Sequence, residues 1–282
     1  MRRTLSLIAS DLRNAVRPTL PVVGMLAVLV AYIVATKMFL AARIDPDLLD
    51  APTLADCLIC AFAGVVPVGF VPGEDFVFPM DWFVVMLSLA LVTLVYPERN
   101  LARVGGTIIA VGGGRAPWWI SKCVWCGLMS FVSWAAVVSV CAALALALGG
   151  TLSLEANPDI TLGLLAYGQG STDVHGSLLP FALCIPFVVM ALSHVQFVLS
   201  IFTGVPLALV ATVGLIISAV YCSSPLVLGD YLMACRLQNC MFAGLNPVWG
   251  ILLSLLTSVV FVGIGFLAFD HRDILPSRKD RL

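Results

Sequence analysis

Unbroken apolar stretches of about 20 residues, set apart by short charged segments, constrain this chain more than any other feature. Six can be read, at residues 19–40, 78–96, 123–148, 178–202, 205–222 and 247–269. A helix on a soluble protein keeps one face polar, and these blocks do not. Only 11% of the 282 residues are charged, too few to cover a soluble fold of this size. In hydrocarbon each backbone polar group must find its partner within its own segment, so blocks of this length read as spanning helices. Period-two alternation is missing, which argues against an outer-membrane barrel. The expected fold is an all-α integral membrane protein, with residues 1–282 forming one domain of six transmembrane helices.

Charge placement gives the orientation. With the amino terminus inside, the cytoplasmic segments hold Arg2, Arg3, Arg13, Arg17, Arg99, Arg103, Arg115, Lys122, Arg272, Arg278, Lys279 and Arg281. Only Lys37, Arg43 and Arg236 fall outside, while acids such as Asp45, Asp56, Asp81, Glu155 and Asp230 gather there. An odd number of spans would put the basic stretch Arg272 to Arg281 on the wrong face, so the even count has separate support. Both termini are expected in the cytoplasm and the chain in the cell membrane as a multi-pass protein. The first block is too long for a signal core and is read as a retained span.

Residues 1–17 carry Leu5, Ile8, Leu12 and Val16 at helical spacing among four arginines. They read as an amphipathic helix on the inner membrane face, with Pro18 marking the turn into the first span. The first outer loop is expected to hold an interfacial or re-entrant helix over about residues 52–64, capped by Thr53. The third, residues 223–246, is expected to fold back onto the bundle. Spans four and five run together without a charge, and the split is placed at Thr203-Gly204-Val205-Pro206, where glycine favours a turn and proline tolerates a first helical turn.

Catalytic chemistry is thin. No Gly-x-x-x-x-Gly-Lys-Ser/Thr run occurs, so the chain has no P-loop for nucleotide phosphates. The histidines are His175, His194 and His271, without a His-Glu-x-x-His pair, and no metal or cofactor is expected. The central parts of the spans lack Asp, Glu and Arg, which removes carboxylate dyads and proton relays. His194 and Gln196 are the most polar groups at depth, suited either to interhelical hydrogen bonds or to lining a polar path. Cys57-x-x-Cys60 and Cys123-x-x-Cys126 have redox or metal spacing but no second pair, so small apolar packing is the default. Cys222, Cys235 and Cys240 leave room for one external disulfide. With a net charge of −1, no nucleic-acid partner is expected; membrane lipid is.

Between the second and third spans the sequence reads Gly112-Gly113-Gly114-Arg115-Ala116-Pro117-Trp118-Trp119-Ile120-Ser121-Lys122. Two tryptophans beside two cations make a short amphipathic piece, either an aromatic belt at the start of a span or a docking element. This segment resembles the cytoplasmic coupling segment of ATP-binding-cassette (ABC) export permeases of the type-2 superfamily. Thr53-Leu54-Ala55-Asp56, Phe78-Pro79-x-x-Trp82, Tyr96-Pro97, Asp230-Tyr231-x-Met233 and Asp270-His271-Arg272-Asp273-Ile274-Leu275 extend the likeness to Gram-positive members of that group. Coupling segments of this kind often carry a second basic residue after the arginine, where Ala116-Pro117 stands here.

The resemblance implies a permease subunit of an exporter. It would pair with a second permease subunit as a homo- or heterodimer and take its force from a separate ABC ATPase subunit. A short cytoplasmic coupling helix over 112–122 would dock on that ATPase, with Arg115, Trp118, Trp119, Ser121 and Lys122 as the coupling residues. The other class compatible with the residues is a non-transporting membrane scaffold or immunity protein.

Overall fold

The computed structural model describes residues 2–44, 51–67, 76–109, 114–157, 177–238 and 244–271. Seven helices of nine residues or more organise them: α1 (Arg2–Ile44), α2 (Leu54–Phe62), α3 (Met80–Asn100), α4 (Arg115–Ala147), α5 (Leu179–Thr203), α6 (Val205–Tyr221) and α7 (Pro247–Asp270). Five of these, α1, α3, α4, α5 and α7, are long and apolar enough to cross a membrane. The sixth expected span, α6, is apolar but 17 residues long, about 25 Å, just under the usual crossing length of ~20 residues. The chain is an all-helical membrane protein.

α5 is the most buried of the long helices and packs against α3, α4, α6 and α7, while α1 runs along α4. α7 is the least covered, presenting Leu252, Leu256, Val259, Ile264 and Leu267 outward. Gly204, at φ 85°, makes the turn between α5 and α6 at the expected position, and Pro206 follows in the first turn of α6. A close helix crossing depends on Gly265 of α7. A Cβ there would lie 2.7 Å from Val198 and 2.8 Å from the ring of Trp119. Gly265→Ala is therefore expected to cost about 1–3 kcal/mol by overpacking, read as a lowered melting temperature in detergent.

Two expected boundaries are corrected. No turn occurs at Pro18: the separate helix over 1–17 is absent, and α1 continues through Pro18 and Pro21 for 43 residues, about 64 Å. Asp11, Ala15, Thr19, Leu26, Val30, Val34 and Met38 form one buried stripe on both sides of the prolines, which sit on the exposed side. Continuous packing along that stripe outweighs the hydrogen bonds the prolines cannot make. Nor is there a separate short helix over 112–122. Residues 112 and 113 lie outside the described set, and Arg115 to Lys122 are the first two turns of α4, continuous with the third span. Pro117 sits in the first helical turn, where its missing N–H costs nothing, and no breaker follows it. The expected loop after Pro97 is also largely helical. Pro97 lies inside α3, which passes into a π-helical turn at Leu101–Gly105 and a short helical turn at Gly106–Ile108.

The end carrying Asp56, Asp81 and Asp230 is called the acidic end and the opposite one the basic end. At the acidic end all nine residues of α2 are buried. Thr53 and Asp56 form a capping box, and the next two amide N–H groups, of Leu54 and Ala55, donate to the carbonyls of Thr151 and Ser153. Every early N–H of α2 thus has a partner, which lets so short a helix sit inside the protein. Lys37 of α1 closes the other end, donating to the Cys60 carbonyl at 3.0 Å and pairing with Asp81 at 3.2 Å.

The third expected outer loop does fold back, through two 3-10 turns, Leu228–Leu232 and Ala234–Arg236. Arg236, buried, donates to Val65, Ala219 and Val220 carbonyls at 2.6–2.8 Å and to Asp230 at 2.6 Å. Two of those carbonyls belong to the last turn of α6, where a helix leaves its acceptors without partners.

Candidate functional site

Each residue predicted to couple to a partner can be placed at the basic end. Trp118, Trp119, Ser121 and Lys122 all turn into the protein, each 1% exposed, and only Arg115 is half-buried. Lys122 meets Asp11 of α1 at 2.5 Å, and the same carboxylate accepts hydrogen bonds from Ser121 at 2.5 Å and from Tyr96 of α3 at 2.8 Å. The Lys122 ammonium lies 5.0 Å from the Tyr96 ring centroid and 5.4 Å from that of Trp118. A buried charge is tolerated only when paired and hydrogen-bonded, and here three donors converge on one carboxylate.

The tryptophans complete the knot. Trp118 donates to the Asn100 side chain at 3.0 Å and stacks on Phe269 at 5.3 Å; Trp119 donates to the Val262 carbonyl at 3.1 Å and packs on Phe197 at 4.7 Å. Arg115 donates to the carbonyls of Phe269 and Asp270, the last turn of α7. The residues from 115 to 122 therefore tie α4 to α1, α3, α5 and α7. In this arrangement the exposed side of the segment is Ile120, not the tryptophans. Sequence reasoning missed Asp11, Tyr96 and Asn100. A signal existed for the first: Asp11 is the one acid in an otherwise basic stretch, one position from Leu12 on the apolar side.

His194 and Gln196 do not line one path. Two residues apart on a helix, they point about 200° apart. His194 faces α4, its Nε2 3.1 Å from the Cys123 carbonyl. Gln196 faces a recess of about 20 Å³ lined also by Ser193, Thr212, Met86 and Leu89. Gln196 is 1% exposed, and neither its amide nitrogen nor its amide oxygen has a hydrogen-bond partner among the described residues. Ser193 is engaged, accepting from Thr93 at 3.0 Å and lying 3.3 Å from Ser130. Polar groups of α3, α4, α5 and α6 thus meet at the middle of the bundle.

A larger cavity of about 270 Å³ adjoins this recess on the side of the acidic end. Leu192 and Val195 of α5 form its floor, Leu215 and Ile216 of α6 one wall, Thr257 and Phe261 of α7 the other. It exists because α6 and α7 both pack on α5 while barely touching each other. Cavity and recess share Leu192, Ile216 and Leu232.

Cys57 and Cys60 lie buried in α2 and Cys123 and Cys126 in α4, and no cluster of three or more potential metal ligands occurs among the described residues. Burial pushes the Cys57 thiol up to about 12, so it stays protonated near neutral pH. Cys222 is exposed. Cys240 lies outside the described residues, and with it the external disulfide. An impermeant maleimide applied to intact cells is expected to label Cys222 and to spare Cys57 and Cys60 until the protein is denatured. Labelling of Cys222 only in inverted vesicles would reverse the orientation.

Compared with known proteins, the chain matches no family model, no curated protein and no solved structure.

Proposed function

We propose that the chain is the membrane-spanning permease subunit of an ATP-driven exporter, with α6 as its sixth span and the basic end in the cytoplasm. What supports this reading most is the built character of the segment from Arg115 to Lys122, which forms the first two turns of the unbroken 33-residue α4. A push on a flexible loop would be lost in the loop. A push on this segment is carried by α4 itself, and through Asp11, Asn100 and the last turn of α7 to three other helices. The sequence likeness to coupling segments and the lack of a P-loop fit the same reading, in which a partner chain hydrolyses the nucleotide. The buried members, Trp118, Trp119, Ser121 and Lys122, then pass the motion on, and the contact falls to Arg115 and Ile120.

Purification in mild detergent tests it. An ATP-hydrolysing chain is expected to stay bound, and Ile120→Cys to cross-link to it. A purified complex without such a chain would overturn the proposal, as would export that continues with every ATPase partner disabled.

A further inference from the structure

Gln196 poses a specific problem of hydrogen bonding. An amide buried among apolar helices without partners is expensive, and such groups are rare in folded proteins. The recess beside it has room for one water. The adjoining cavity is another matter: it is far larger and its walls are mainly apolar, conditions under which cavities stay dry and take apolar molecules. Its volume of about 270 Å³ is more than ten times that of the recess, room for a hydrocarbon chain rather than a single water.

Two further observations narrow the occupant. Among the described residues no charged side chain lines either cavity, so a charged headgroup would meet no counter-ion from them. The rim carries exposed apolar side chains, Leu215 of α6 and Leu226 in the turn beyond it, and the outer face of α7 beside it is apolar as well. Access from the bilayer is direct through the gap between α6 and α7.

We propose that cavity and recess are two parts of one binding site for an uncharged single-chain amphiphile drawn from the bilayer. Its hydrocarbon fills the space between α6 and α7, and its terminal hydroxyl or amide reaches Gln196 when the Ile216 side chain turns aside. Ile216 is one of three side chains, with Leu192 and Leu232, that border both spaces and so form the partition. The site does not depend on whether the chain works as an exporter.

The test uses the full chain reconstituted in nanodiscs and a photoreactive decanol carrying a diazirine in its tail. Saturable labelling of the stretches around Leu215 and Thr257 is expected, displaced by decanol and far more weakly by decanoate. Gln196→Leu is expected to weaken the alcohol about five- to tenfold, the worth of one neutral hydrogen bond. The same variant should leave a hydroxyl-free alkyl diazirine unaffected and should not lower the melting temperature. Leu215→Trp, at the exposed rim, should block both probes without disturbing the core.

Labelling that does not saturate would mean ordinary bilayer lipid in the cavity and would overturn the proposal. So would equal affinity of the alcohol for the native chain and Gln196→Leu. A Gln196→Leu variant that melts earlier but binds unchanged would assign the amide to a structural water, and would overturn it as well.

Discussion

Replacing Asp11 by alanine is expected to remove about 3–5 kcal/mol of stability, the cost of leaving a buried charge without its partner. Lys122 is 1% exposed and Asp11 6%, so water cannot stand in for the lost carboxylate. Ser121 and Tyr96 lose their acceptor in the same step. The double variant Asp11→Leu with Lys122→Met is expected to recover most of the loss, because an apolar pair of similar volume often equals a buried ion pair. Unfolding of the purified chain in detergent, followed for the native protein, Asp11→Leu, Lys122→Met and the double, measures the coupling. Independent effects that simply add would show that the pair does not hold α1 to α4.

Arg236→Met is expected to be about as damaging, again about 3–5 kcal/mol, at the other end of the molecule. It strands Asp230, which then keeps only the Ser224 N–H at 2.8 Å, and it uncaps the last turn of α6. Arg236→Lys is expected to rescue little. The guanidinium reaches the Val65, Ala219 and Val220 carbonyls and the Asp230 carboxylate from one planar group, and an ammonium cannot span them. Melting temperatures of the two variants decide it, and a lysine variant as stable as the native chain would refute the fork geometry as the cause. The expected consequence for the site is specific: with the 3-10 turns released, Leu232 no longer walls the cavity between α6 and α7.

The features that were readable beforehand are those fixed by neighbours in sequence. The helix at Leu54–Phe62 announces itself through Thr53 and Asp56, whose mutual capping needs only three residues of spacing. The turn at Gly204 rests on one residue's conformational freedom and a proline two positions on. Even the divergence of His194 and Gln196 was available, since helical geometry alone sends positions two apart to different faces. Other features were misread for want of a partner. Pro18 suggested a break in α1, and only the stripe packed against α4 shows why the helix runs on through it and Pro21. Trp118, Trp119 and Lys122 looked like an exposed, cationic surface because their partners are far away in the chain. Asp11 lies 111 residues from Lys122, and Val262 lies 143 from Trp119.

The sequence by itself determined that this chain lives in a membrane as a set of apolar helices. Transfer of apolar segments out of water depends on local composition and length, and so do capping and turn formation. Only the tertiary structure decided which polar groups are paired and which are left over. Inside a packed helical bundle a buried charge or amide cannot fall back on solvent, so its energy depends on what the fold brings beside it. For Lys122 that is a carboxylate; for Gln196 it is a small recess next to an apolar cavity.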